Sequence, residues 1–201
     1  RRAASRVAQA RRPTTTGARI LGNHLEGPFL PNRTSGTHPV NHLRAPDPVL
    51  LDSLLGLEGV TMMTSAPELP GALDLIRACV ARGVRVSLGH SAATADQAQR
   101  GFDAGASAVT HLFNAMPPRL WPTVHTYCGT KSVGVEELIL ADDGVSADIV
   151  CDATGAHVHR SLLKTALLCK GVGKLSLITD AMVAAGLPNG EFKMADGQSV
   201  F

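Results

Sequence analysis

Val84-Arg-Val-Ser-Leu-Gly-His90 decides the reading of this chain. An apolar, β-branched alternation of this kind is a strand. It stops on a histidine, after a glycine that lets other groups come close. The same grammar recurs in Arg19–Glu26, Ala108–His111 and Leu175–Asp180, each an apolar run that ends on a metal-ligand or acid/base residue. In a barrel of parallel strands, side chains at the carboxyl ends of different strands converge on one mouth. Glu26, His90, His111 and Asp180 are therefore expected to meet in one catalytic centre despite their separation in sequence.

Working outward, strand-like runs fall at about residues 19–25, 60–65, 84–89, 107–112, 147–151 and 174–179. Helical patterns lie between most of them. Pro70 to Arg82 carries Leu73, Ile76, Ala78 and Val80 and ends at Gly83; Thr94 to Phe102 and Ser161 to Lys170 follow the same rule, with Gly105 and Gly171 behind them. Strands alternating with helices of this length make a parallel sheet, either open and doubly wound or closed into a barrel. No Gly-x-Gly-x-x-Gly turn follows the first strand. The chain thus reads as an α/β protein, a partial (β/α)8 TIM barrel with about six βα units of the eight that closure needs. Arg119 to Val135, with Trp121, His125, Tyr127 and Cys128, shows no clear period and is either a loop over the mouth or a region whose elements this pattern misreads.

Composition narrows the function. The 201 residues are 44% hydrophobic and 18% charged, which suits one folded domain and excludes disorder. No apolar run approaches the roughly 20 residues that span a bilayer, so no membrane role is expected. A nucleic-acid partner needs a basic face with stacking aromatics. Only 3% of this chain is aromatic, and its basic cluster (Arg1, Arg2, Arg6, Arg11, Arg12) is confined to one end. That start resembles an organelle transit peptide in composition, but Ala3, Val7 and Ala10 recur at helical spacing and predict a helix before the first strand. The four cysteines form no Cys-x-x-Cys pair, which points to a reducing compartment, the cytoplasm; Cys79 and Cys169 are expected in helix cores.

The residue types at the strand ends specify the chemistry. A lone glutamate near a strand end is usually solvated, and a single buried histidine is more often a hydrogen-bonded core residue than a ligand. Two such histidines together with Glu26 reverse that reading. Neutral imidazoles and a carboxylate suit zinc or another divalent first-row metal and leave a coordination position for water. Asp180 serves either as a cap for the next helix or as a general base and then acid beside that water. His157 and His159 alternate, so one of the two faces the mouth.

Read as words, His24-Leu-Glu-Gly-Pro-Phe29, Gly36-Thr-His-Pro39, Ala66-Pro-Glu68, Ser87-Leu-Gly-His-Ser91, Thr110-His-Leu-Phe-Asn-Ala-Met116 and Ile178-Thr-Asp-Ala-Met182 resemble the N-acetylglucosamine-6-phosphate deacetylase family of the amidohydrolase superfamily. The resemblance runs from Ala18 to the end. It implies that Glu26, His90 and His111 hold one divalent metal ion, zinc before iron, cobalt, manganese or nickel, and that Asp180 is the catalytic acid/base. Thr37, His38, Asn114, Ala115, Gly155, Ala156 and His157 would lie against an amino-sugar phosphate. It further implies removal of the acetyl group of N-acetyl-D-glucosamine 6-phosphate, a homodimer in the full-length form, and a (β/α)8 barrel with a small β-sandwich. Residues 1–201 would be the central part of that barrel, without the sandwich and the terminal strands. Arg119-Leu-Trp-Pro-Thr-Val-His125 stands where the family has a word that supplies a phosphate-binding arginine. The family's Asp-Gly-x-His word is two residues longer here, from Asp152 to His157. The alternatives are an amidohydrolase acting on another amide and a catalytically inert fragment, since an unclosed barrel exposes a sheet edge.

Overall fold

The computed structural model describes residues 2–11, 17–116, 133–182, 184–194, 197 and 199–200. Six parallel strands, β1 (Asn23–Glu26), β2 (Val60–Ser65), β3 (Arg85–Leu88), β4 (Ala108–Val109), β5 (Ser146–Val150) and β6 (Leu175–Ile178), lie side by side in sequence order. That order decides between the two architectures left open by periodicity. A doubly wound sheet reverses its strand order at a switch point, whereas a barrel adds each strand on the same side of the last. The sheet curls into half a barrel, and among the described residues β1 and β6 are its edges.

Helices α1 (Arg2–Ala10), α2 (Pro48–Leu55), α3 (Ala72–Ala81), α4 (Ala95–Asp103), α5 (Val135–Leu140) and α6 (Arg160–Lys170) connect or precede these strands. Their starts are chemically specified. Thr94 accepts from the N–H of Gln97 while the Gln97 side chain accepts from the Thr94 N–H, a complete capping box for α4. Asp47 accepts from the Leu50 N–H at 2.6 Å with Pro48 behind it, which starts α2.

Strand alternation sorts the core. Val86 and Leu88 of β3 are fully buried in the layer shared with the helices, where Ile76, Cys79, Val109, Ile139 and Ile149 join them. Burial of such side chains stabilises the fold by about 1.5–3 kcal/mol each. Ser87, between them, points to the barrel interior, where Ser87, Thr110 and Thr64 link their hydroxyls at 2.6 Å and Thr64 meets His24 Nε2 at 2.7 Å. The inside of this half-barrel is thus polar and hydrogen-bonded, as buried polar groups must be.

Several expectations are corrected. The first strand pairs from Asn23, not residue 19, and Ile20 and Leu21 are exposed. Gly22 instead carries the chain past β2, with the Thr61 side chain 2.4 Å from where a Cβ would stand. The run at 107–112 is a strand only over Ala108–Val109, because the backbone turns at His111. Helices α2 and α5 and an antiparallel pair, β7 (Phe192–Lys193) with β8 (Ser199–Val200), were not expected. Cys79 is buried as foreseen, but Cys169 is exposed on α6, whose Leu167 and Leu168 also face outward. Most of the segment from Arg119 to Val135 lies outside the described residues; α5 begins at Val135. Among the described residues no helix is long and apolar enough to cross a membrane.

Candidate metal and substrate site

Parallel register aligns the carboxyl ends: Glu26 pairs with Thr64, Ser65 with Leu88, Leu88 with Val109, and Val150 with Ile178. His90, His111 and Asp180 each stand two residues beyond the end of their strand, and each has positive φ, 44°, 30° and 49°. A non-glycine residue in that region costs about 1–3 kcal/mol and persists only where the surroundings over-determine it. Here the turn redirects each side chain from the sheet faces toward the mouth. Glu26 closes β1 itself, before Gly27 at φ 76°.

Three donor atoms meet there. Glu26 Oε1 lies 2.9 Å from both His90 Nε2 and His111 Nε2, and the two nitrogens are 3.0 Å apart. His90 Nδ1 donates to the Thr34 carbonyl at 2.7 Å and His111 Nδ1 to the Asn114 carbonyl at 3.0 Å. A carbonyl only accepts, so each Nδ1 carries a hydrogen, and each Nε2, facing the Glu26 carboxylate, is the nitrogen that a neutral ring can offer to a cation. Two imidazole lone pairs and a carboxylate oxygen converging in a largely buried place need a cation between them. This second-contact pattern, Nδ1–H on a backbone carbonyl, is the one metal-ligating histidines use. The group can therefore hold a metal ion.

The electrostatics agree. Burial pushes the Glu26 carboxyl up, but the hydrogen bonds and charges of His111 and His90 outweigh it and hold Glu26 far below the ordinary carboxylate range. Burial pulls His111 down; the Glu26 hydrogen bond and charge, with Asp180 nearby, reverse this and raise it. Burial dominates at His24, whose imidazole is lowered and kept neutral beneath the site.

A cavity of about 780 Å³ opens over the three donors, within the range of small-molecule sites. Of the residues expected from sequence, Glu26, Thr37, His38, His90, His111, Asn114, Ala115, His157 and Asp180 all line it. Gly155 and Ala156 do not line it. They form the turn before His157, in which Asp152 accepts from the N–H groups of Thr154, Ala156 and His157 and from His157 Nδ1. His159 faces away and caps α6 by accepting from Ser161 N–H. No Arg or Lys lines the cavity among the described residues. Arg119 and His125 lie outside the described residues.

Sequence reasoning missed the supports. Thr34 returns a bond from its hydroxyl to the His90 carbonyl at 2.6 Å. Glu68 accepts from the Ser91 hydroxyl and the Ala92 N–H, both at 2.7 Å, pinning the segment after His90. It also missed the apolar part of the cavity lining, Met182, Leu187, Phe192 and Met194.

Comparison with known proteins gives the family context. The chain is 35% identical over 190 residues to N-acetylglucosamine-6-phosphate deacetylase of Lysinibacillus sphaericus, covering 94% of this chain and 46% of the relative. Over nearly all of its length the chain is similar to an N-acetylglucosamine-6-phosphate deacetylase. It is equally similar, at 35% over 194 residues, to N-acetylgalactosamine-6-phosphate deacetylase of Escherichia coli O157:H7, covering 96% of this chain and 48% of that one. Its fold superposes on a mutant N-acetyl-D-glucosamine-6-phosphate deacetylase from Mycobacterium smegmatis in complex with N-acetyl-D-glucosamine-6-phosphate, with a TM-score of 0.74 and 36% identity over 87% of this chain and 43% of that one. The chain thus spans about half the length of the deacetylases it matches. No protein-family model matches it.

Proposed function

We propose that the chain carries the catalytic face of a metal-dependent deacetylase that hydrolyses N-acetyl-D-glucosamine 6-phosphate to D-glucosamine 6-phosphate and acetate. The observation that carries this reading is the convergence of Glu26, His90 and His111 within 3.0 Å, with Asp180 on the wall of the same cavity. These three residues hold one divalent ion. Two imidazoles and a carboxylate suit zinc best, and iron, cobalt, manganese or nickel accept the same donors. Such an ion, when bound, lowers the pKa of a water molecule and polarises a carbonyl oxygen.

Asp180 takes the proton of the attacking water as the new C–O bond forms. It then delivers that proton to the amide nitrogen as the C–N bond breaks, so the amine and acetate leave. Thr37, His38, Asn114, Ala115 and His157 lie against the amino-sugar phosphate, and Gly155 and Ala156 shape the turn that presents His157. The same proposal makes residues 1–201 the central part of a (β/α)8 catalytic barrel whose small β-sandwich lies outside them, in a cytoplasmic homodimer; the matched relatives are about twice as long.

A second substrate reading, the galactosamine epimer, rests on the equal 35% identity to the N-acetylgalactosamine-6-phosphate enzyme. Amine release from both sugar phosphates and from unphosphorylated N-acetylglucosamine, by the metal-stripped and the zinc-reconstituted chain, separates these readings. Turnover is expected only with the ion, and Asp180→Asn lowers it by about 100-fold or more. Unchanged turnover in that variant refutes the role of Asp180. A melting temperature unmoved by zinc refutes the metal.

A further inference from the structure

Asp148 sits in the middle of β5, contacts none of the three donor atoms, and yet presents two acceptors to the turn that carries His111. Its carboxylate Oδ1 accepts from the His111 backbone N–H, and its main-chain carbonyl accepts from the next N–H, that of Leu112, at 2.9 Å. The preceding N–H, of Thr110, still follows the strand pattern and donates to the Leu88 carbonyl of β3. The side chain of Asp148 thus takes the first N–H that the departing strand leaves without a ladder partner.

That N–H belongs to a residue at φ 30°. A left-handed histidine is unfavourable by about 1–2 kcal/mol, so the turn relaxes unless something fixes it. His111 Nδ1 bonds the Asn114 carbonyl, but Asn114 lies within the same turn, its own N–H bonding back to the His111 carbonyl. Those bonds hold the turn to itself, not to the barrel. Asn114 Nδ2 also donates to the His157 carbonyl at 3.3 Å, in the loop beyond β5; among the described residues, the two bonds to Asp148 are those that attach the turn to β5 itself, and through β5 to the sheet that also positions His90 and Glu26. Because His111 is 2% exposed, its N–H has no water to replace a lost acceptor, and an unmade bond there costs about 1–3 kcal/mol.

We propose that Asp148 is a positioning residue for His111, fixing the backbone of the ligand's turn so that its Nε2 meets those of His90 and the oxygen of Glu26 in one place. This rests on the metal reading given above. Partners that orient metal ligands typically change affinity by about 10–100-fold when removed, and Asp148 does so through the main chain, not through the imidazole.

The test is Co2+ titration of the metal-stripped 201-residue chain and its variants, read by visible absorption and by chelator competition, with circular dichroism to confirm folding. Asp148→Ala is expected to bind Co2+ at least about 10-fold more weakly, with an altered absorption band. Asp148→Asn, which keeps an acceptor oxygen at the same position, is expected to restore both affinity and band. A merely structural role would lower the melting temperature without that rescue or spectral change. If Asp148→Ala does not fold, Asp148→Val, which suits a strand, replaces it. A parent chain that binds Co2+ together with an alanine or valine variant of equal affinity and identical spectrum overturns the inference alone. A parent chain that binds no Co2+ overturns the metal reading beneath it.

Discussion

Replacement of Gly89 by alanine tests whether the barrel interior is as tightly built as the hydroxyl chain implies. The new Cβ would stand 2.8 Å from Thr110 Cβ, 3.0 Å from Thr64 Cγ2 and 3.2 Å from Thr110 Oγ1. Both threonines are buried, and β-branched side chains have few alternative rotamers. Their hydroxyls also bond one another at 2.6 Å and continue to Ser87 and His24. Neither can turn aside without breaking a buried bond. Gly89 is not at positive φ, so the cost is overlap and not torsion. Overpacking of this kind costs about 1–3 kcal/mol, and one broken buried hydrogen bond adds about 0.5–1.5 kcal/mol. The sum of roughly 2–4 kcal/mol corresponds, at about 2–4 °C per kcal/mol for a chain of this size, to a melting temperature lower by some 4–16 °C. Gly173→Ala is the control, since a Cβ there meets nothing within 4 Å and its φ is ordinary. Urea unfolding of the two metal-free variants, followed by circular dichroism, gives the comparison. A Gly89→Ala chain within about 0.5 kcal/mol of Gly173→Ala, the usual scatter of harmless surface changes, refutes the reasoning.

Two further outcomes follow from the same structure. Gly36→Ala places a Cβ 2.7 Å from His90 Cε1 at a residue with φ 59°, so it is expected to weaken zinc-induced stabilisation although Gly36 offers no ligand; thermal melts with and without zinc check this, and an unchanged zinc-induced shift contradicts it. Cys79 is buried and its thiol is pushed up to about 11 by that burial, with Arg82 opposing, while Cys151 and Cys169 are exposed. At pH 8 the Cys79 thiolate is then about one part in a thousand, so peptide mapping after iodoacetamide treatment should find Cys151 and Cys169 alkylated and Cys79 free until the chain is unfolded.

What the sequence made legible, and what it hid, follows from where the partners of each group lie. The strand-ending words were readable because alternation fixes a strand and the residue at its end fixes a chemistry, both within a few positions: Val86 and Leu88 mark β3, and His90 follows. The positive φ of His90, His111 and Asp180 was invisible because none is a glycine. Helix α2 had its signals in Asp47 and Pro48 and in Leu50, Leu51, Leu54 and Leu55 at helical spacing, a run of only two turns that the longer helical patterns overshadow. The first strand was drawn too early because Ile20 and Leu21 have strand-like side chains, whereas pairing is decided by the approach of Gly22 to Thr61. Asp148 was hidden more deeply. Period two puts Ala147 and Ile149 on the helix-facing side of β5 and Ser146 and Asp148 on the other, which in an open antiparallel sheet would face water. Curling the sheet turns that same face into the barrel interior, so a polar residue that reads as solvent-facing becomes one that must find a buried partner. The partner it finds is a main-chain N–H 37 residues earlier. Every residue but proline has that group, so nothing in either segment's composition marks the pair. Only the curvature, which no local pattern encodes, brings the carboxylate of Asp148 to the turn of His111.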